Sequence, residues 1–241
     1  TAKFLLKENI PFLIAVEPQQ YDDYIQTIPK KNILKLPFKN LGLGSYPARN
    51  YCWEHSIKNG AKRHFIFDDN IYGFLNYNNG LRKKCSAAEA FNLLENFTDR
   101  YKNIGISGFE YSYMCINNRK PFKLNTHVYS GMLINNDIKF RWRLKYNEDV
   151  DLCLQILNTK KLCTVSFNYY LIQKVSTVSK MKGGNQEELY KGNKHELKVL
   201  KARSLEALWP QYVNTVIRFN RPHHFVAWKK YFKQPLIRIG E

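Results

Sequence analysis

One stretch constrains this chain more than any other: the apolar run Arg63-His64-Phe65-Ile66-Phe67 stops abruptly at Asp68-Asp69-Asn70. Such a run predicts a strand that buries its apolar part in a sheet. Its acids then lie at the sheet's carboxyl edge, where open α/β folds keep their ligands. Two adjacent carboxylates repel each other unless a cation sits between them or a neighbour neutralises them. Hard oxygen ligands at a strand end suit Mg²⁺ or Mn²⁺ bridging to a diphosphate. Asp-Asp-Asn is also good turn chemistry, and a plain turn is the competing reading.

The elements around this strand follow in strand–helix order. Ile10 to Val16 predicts a buried strand stopped by Glu17-Pro18, and Pro18 to Ile28 a short amphipathic helix. Asn32 to Pro37 reads as a second strand. A glycine loop, Gly42-Leu43-Gly44-Ser45, leads into a helix from Pro47 to Asn59, with Asn59-Gly60 as its stop. This β-α-β-α-β order predicts an α/β fold with a mostly parallel, doubly wound sheet. Ser86 to Tyr101 opens on the capping box Ser-Ala-Ala-Glu. Further strands are expected over 104–109, twice between Tyr111 and Ile134, and over 162–170, with helices over 149–157 and 187–208.

Charge narrows the partners. Thirty-eight Lys and Arg against 20 Asp and Glu give +18. Nucleic acid, anionic lipid and phosphate-bearing ligands reward that excess, although a lysine-rich, AT-biased genome would also produce it. The 16 Tyr, 15 Phe and 4 Trp argue against a merely solvated basic surface, because cations interleaved with aromatics suit a polynucleotide. No apolar run approaches the ~20 residues of a membrane span, so no membrane partner is expected. Five scattered cysteines without a Cys-x-x-Cys pair read as free thiols in a reducing cytosol. The start of the chain shows no signal-peptide pattern, and a cytoplasmic location is expected.

Two further constellations carry chemistry. The glycine loop could let backbone approach a diphosphate at a helix N-terminus, or be an ordinary turn. Arg49, on the helix beside the acidic strand, could meet a phosphate or an acid of that strand. Downstream, Tyr146-Asn147-Glu148-Asp149-Val150-Asp151 puts three acids at the start of an apolar helix. Acids there favour the helix dipole, and one facing the sheet edge could also take a proton from an attacking hydroxyl.

The order of these features resembles glycosyltransferases of the GT-A fold: a nucleotide strand, Ala48-Arg49-Asn50 on a helix, the Phe67-Asp68-Asp69-Asn70 strand end, the Gly131-Met132-Leu133-Ile134 strand, then Glu148-Asp149 opening a helix. More narrowly, the chain resembles the phage glycosyltransferases associated with TET-type dioxygenases, relatives of the transferase that makes base J. The resemblance implies a Rossmann-like GT-A core over 1–185, with a nucleotide-sugar half to about residue 80 and an acceptor half beyond it. Residues 186–241 would add a helical, basic C-terminal extension.

It also implies roles. A Mn²⁺ or Mg²⁺ ion would be held by Asp69 and Asp68 with Asn70, and by His195 as a last ligand. A UDP-sugar donor would meet Glu17, Gly44, Arg49 and Asp68, with the loop Lys180, Lys182, Gly183 and Gly184 closing over its diphosphate. Asp149 would be the base of an inverting transfer, with Glu148 as its rival. The acceptor would be the hydroxymethyl group of 5-hydroxymethylcytosine or 5-hydroxymethyluracil in DNA. Arg218, Arg221, Trp228, Lys229 and Lys230, from the basic aromatic tail, are the expected DNA contacts. The rival readings are a transferase for a glycan, lipid or protein acceptor, and a non-enzymatic nucleic-acid-binding module.

Overall fold

A seven-stranded mixed sheet lies at the centre of the molecule. The computed structural model describes residues 1–115, 120–174 and 195–240. In chain order, α1 (Ala2–Lys7), β1 (Ile14–Val16), α2 (Tyr21–Ile25), β2 (Ile33–Lys35) and α3 (Tyr46–Lys58) precede the acid-tipped strand β3 (Arg63–Phe67). Next come β4 (Ile71–Asn78), β5 (Leu81–Cys85), α4 (Ala87–Thr98), β6 (Ile104–Tyr111), β7 (Phe122–Leu124) and β8 (Gly131–Asn135). Then follow α5 (Glu148–Asn158), β9 (Cys163–Lys174), α6 (His195–Leu208), β10 (Val213–Arg218), β11 (Arg221–Val226) and α7 (Trp228–Tyr231).

The main sheet runs β3-β8-β6-β9-β4-β5, with β7 added to β9. Among the described residues, β6 and β9 are its one parallel pair, and the other neighbours are antiparallel. β1 and β2 pair in parallel in a small sheet of their own. The expectation of a mostly parallel sheet is therefore corrected. β8 runs between β3 and β6 against both, and β4–β5 is a hairpin closed by Asn79 and Gly80 at φ 50° and 80°. Both residues at positive φ make a tight hairpin turn. The end of β4 and the whole of β5 carry Asn76, Asn78, Arg82, Lys83 and Lys84, so no continuous apolar run marks the hairpin in the sequence.

The mixed order still gathers one edge. Because β8 opposes both β3 and β6, and β9 parallels β6, the strands β3, β6 and β9 all point the same way. Their carboxyl ends bring together Asp68, Glu110-Tyr111 and Lys174.

The helices follow their sequence signals, with local departures. Ser86 Oγ caps α4 by accepting the Glu89 amide at 3.1 Å. The Glu89 carboxylate instead accepts the Tyr170 hydroxyl at 2.7 Å, so only half of the capping box is used on the helix. The stretch expected as one helix from Pro18 to Ile28 is a 3₁₀ turn followed by α2. The C-terminal residues pack closely on the rest. Val150, Leu154 and Leu157 of α5 share a cluster with Leu205, Trp209, Val213, Val226 and Phe232. That burial, on the order of 1.5–3 kcal/mol per large side chain, fixes the helix whose first turn carries the acids.

Candidate active site

The acid at the end of β3 is held by two cations. Asp68 Oδ1 lies 2.8 Å from Arg49 Nη2, and Oδ2 lies 2.7 Å from Lys174 Nζ. Lys174 also donates to Ser130 Oγ at 2.7 Å and to the Tyr111 hydroxyl at 3.3 Å. Burial pushes the Asp68 carboxyl up, but Arg49 and Lys174 outweigh it and hold the group below the usual carboxylate range. Lys174 was not expected at the site. It is 106 residues from Asp68, and only the sheet order brings the ends of β3 and β9 together.

Arg49 joins this edge to the acidic helix. Its Nη2 is 3.7 Å from Glu148 Oε1, its Nε donates to Ser45 Oγ at 3.2 Å, and its guanidinium lies over the Trp142 ring at 4.7 Å. Ser45 precedes α3 as its N-cap, yet its hydroxyl makes no capping bond and donates to Glu148 Oε1 at 3.0 Å. The next residue, Asn50, clasps the Trp142 backbone, donating to its carbonyl at 2.8 Å and accepting its amide at 3.0 Å. Gly44 is required by packing: at φ +80°, a Cβ there would sit 2.6 Å from the Lys145 carbonyl oxygen. The glycine loop is thus pinned to the segment that leads into α5.

The three acids of α5 divide by function. Asn147, left-handed at φ 56°, turns the chain into the helix and donates from Nδ2 to the Lys201 carbonyl at 2.7 Å. Asp151 is fully buried and belongs to the framework: Arg143 grips it at 3.0 Å through two nitrogens, and Gln155 and Trp209 Nε1 donate at 2.9 and 2.8 Å. Glu148 and Asp149 face the site instead. Burial and the Asp149 charge push Glu148 up. Burial also pushes Asp149 up, but His127, Arg49 and the Val150 amide hold it below its usual range.

His127 is the second residue that sequence reasoning missed, a lone histidine whose spacing says nothing of Asp149. Its Nε2 stands 3.0 Å from Asp149 Oδ2, at ion-pair distance but off the line of a hydrogen bond. The other Asp149 oxygen, Oδ1, accepts the Val150 amide at 2.8 Å. His127 belongs to an aromatic series. Tyr113 stacks on Tyr111 at 5.2 Å, Tyr111 meets Tyr129 at 4.7 Å, Tyr129 meets His127 at 4.1 Å, and Trp228 lies parallel to His127 at 6.4 Å. Trp228 also lines an open groove of about 950 Å³ with Phe122 and the lysines Lys120, Lys123, Lys229 and Lys230.

The other expected residues are less concentrated. Glu17 Oε2 accepts the Asn40 amide at 3.3 Å and so ties down a neighbouring loop. Arg218 and Arg221 face each other at the tip of the β10–β11 hairpin, whose turn residues Phe219 and Asn220 have φ 52° and 56°. His195 is exposed at the start of α6, and Asn70 ends the turn into β4. Lys180, Lys182, Gly183 and Gly184 lie outside the described residues.

For a divalent ion, Asp68 is a poor ligand here, since both its oxygens are already engaged by cations. Among the described residues no cluster of three His, Cys, Asp or Glu could hold a metal. Asp69 differs, being exposed beside Asp68. Mg²⁺ is commonly held by one or two carboxylates plus substrate phosphates, and an ion bound that way fits Asp69.

The arrangement joins a sheet edge whose cations suit a diphosphate with half-buried acids suited to proton transfer. The sequence profile of TET-associated glycosyltransferases matches residues 1–184. The chain belongs to the TET-associated glycosyltransferase family. No curated protein and no solved structure matches it. Every residue of the Asp68, Arg49, Glu148, Asp149 and His127 network falls within the part that matches the family, whereas Trp228 and the hairpin lie beyond it. Among the described residues no helix is long and apolar enough to cross a membrane.

Proposed function

We propose that this glycosyltransferase moves a sugar from a UDP-sugar to the hydroxymethyl group of 5-hydroxymethylcytosine or 5-hydroxymethyluracil in DNA, with inversion. One observation carries the reading: Arg49 bridges Asp68 to Glu148, at 2.8 and 3.7 Å, so the edge for the donor adjoins the acids for the acceptor. Arg49 and Lys174 supply fixed positive charge where a diphosphate leaving group gains negative charge. A Mn²⁺ or Mg²⁺ ion held on Asp69 and the donor phosphates would add to that neutralisation. Asp68 keeps the two cations in place. The acceptor proton leaves through the Asp149 corner of the site.

Family membership favours a modified DNA base as acceptor. The lysine-lined groove beside Trp228 supports it chemically, offering cations for phosphates and an aromatic face for a base. The test is incubation with a panel of UDP-sugars and hydroxymethylated DNA, read by nucleoside mass spectrometry. A mass increase of one sugar on the hydroxymethylated nucleoside is expected. Transfer to glycans but to no DNA would overturn the acceptor assignment.

A further inference from the structure

We propose that His127, rather than Asp149, takes the proton from the acceptor hydroxyl, with Asp149 as its positioning residue. This rests on the transfer proposed above and assigns its proton step. The argument is an account of free lone pairs. Asp149 Oδ1 accepts the Val150 amide at 2.8 Å, and Oδ2 faces His127 Nε2 at 3.0 Å. Glu148 Oε1 accepts the Ser45 hydroxyl at 3.0 Å and faces Arg49 at 3.7 Å. Both Asp149 oxygens and Oε1 of Glu148 therefore have protein partners, and Glu148 Oε2 is the one carboxylate rival, which the Glu148→Gln variant below tests. On His127, Nε2 stands 3.0 Å from the carboxylate, at ion-pair distance but off the line of a hydrogen bond, and among the described residues no hydrogen bond reaches Nδ1. The negative charge of a carboxylate beside one ring nitrogen favours the tautomer with the proton on that nitrogen and leaves the other as the acceptor.

The surroundings fit that role. The ring is held between Tyr129 at 4.1 Å and the parallel Trp228 at 6.4 Å, and its side chain keeps 13% of its surface exposed. Trp228 also lines the lysine-rich groove, so a DNA strand held there brings its bases towards His127. The step balances. Nδ1 accepts the hydroxyl proton as that oxygen bonds to the anomeric carbon, and the bond from that carbon to the diphosphate breaks with its electron pair leaving on the diphosphate. The imidazolium that forms is balanced by Asp149, which stays ionised throughout.

The test compares His127→Gln, His127→Ala, Asp149→Asn and Glu148→Gln in single-turnover transfer to hydroxymethylated DNA, with UDP-sugar affinity measured alongside. His127→Gln should slow transfer by ~10²–10⁴-fold with donor affinity nearly unchanged. Added imidazole should restore part of the activity of His127→Ala, which loss of a merely structural ring would not permit. Asp149→Asn should lower kcat rather than raise the donor KM, and combining it with His127→Gln should cost little more than either change alone, as for groups that act as a unit. Transfer by His127→Gln at the wild-type rate would overturn the assignment. If Asp149→Asn were then inactive, the base would be Asp149; if Glu148→Gln were, it would be Glu148. Absence of imidazole rescue in a folded His127→Ala would also overturn it. A wild-type protein that binds UDP-sugar but glycosylates no hydroxymethylated DNA would instead remove the acceptor reading, and the assignment with it.

Discussion

Lys174 Nζ and Asp68 Oδ2 stand 2.7 Å apart, joining the carboxyl ends of β9 and β3 across strands that lie between them in the sheet. The contact fixes the charge pattern of the donor edge: the Asp68 carboxylate is shared by two cations, Lys174 and Arg49, and Arg49 also faces Glu148. Lys174→Met should therefore weaken UDP-sugar binding and slow transfer by about 10²-fold, the scale of losing one charge that stabilises a leaving group. Arg49→Lys should cost as much despite keeping the charge, because an ammonium cannot present the planar fork that meets Asp68, Glu148 and Ser45 together. Donor titration and single-turnover rates on both variants check this.

Asp68 and Asp69 are neighbours with opposite expectations. Asp69→Ala should abolish transfer and leave Tm unchanged, since its side chain is exposed. Asp68→Ala should lose transfer and stability together, because Arg49 and Lys174 would then face each other without the acid between them. With Asp68 23% exposed, solvent screening limits the loss to about 1–3 kcal/mol. Thermal unfolding together with a Mn²⁺ titration of activity separates the two roles. Equal Tm losses would show that both acids are structural.

Asp151 should behave as framework. Its fully buried carboxylate accepts from Arg143, Gln155 and Trp209, and so ties α5 to the segment after α6. Asp151→Ala should destabilise the fold by about 3–5 kcal/mol, the scale of breaking a buried charge network. Activity should fall only as the folded population falls. Denaturant unfolding of the variant beside its rate per folded molecule tests this.

Acid should destabilise the protein through His224. Burial, then the neighbouring His127, push its ring down to about 4 from 6.5. The unfolded chain therefore binds a proton that the folded chain refuses between those values. Stability is full above pH 6.5 and falls as pH drops towards 4, by roughly 2–3 kcal/mol. Asp68 and Asp149, both held below their usual range, add a further loss at lower pH still. His224→Gln should flatten the Tm curve between pH 6.5 and 4 and leave the steeper acid limb in place.

What the sequence made legible was local. The run into Asp68, the Pro47 helix start and the Ser86 cap each rest on a few adjacent residues, and each appears where its signal lies. The residues it hid are placed by strand order. Lys174 and His127 join the site because β8 and β9 fall where they do, and no spacing along the chain encodes that. Ser45, Gly44 and Asp151 show a second limit: a capping serine, a flexible glycine and a first-turn acid keep their positions but spend their chemistry on tertiary partners. The hairpin β10–β11 stayed hidden because its turn, Phe219-Asn220, lacks the usual glycine.

That hairpin and α7 carry the charge that should read DNA. Arg218 and Arg221 are directly opposed across the strands, a like-charge pairing that is unfavourable by itself. Phe219 between them is 87% exposed, and Ile217 beside them 69%. A phosphate backbone would relieve the repulsion, and each phosphate that a cation meets releases counterions, so binding must weaken steeply as salt rises. Neutralising Arg218, Arg221, Lys229 and Lys230 together, each to Gln, should lower affinity for duplex DNA at low salt. It should also reduce the slope of log K against log salt by up to about 0.9 for each phosphate no longer neutralised. Tm should change little, since Arg218, Lys229 and Lys230 are exposed and Arg221 is half-buried. Binding measured from about 50 to 300 mM salt on both proteins decides it. An unchanged slope would mean that these four residues do not meet phosphates, and that DNA is held by Lys120 and Lys123 on the other wall of the groove.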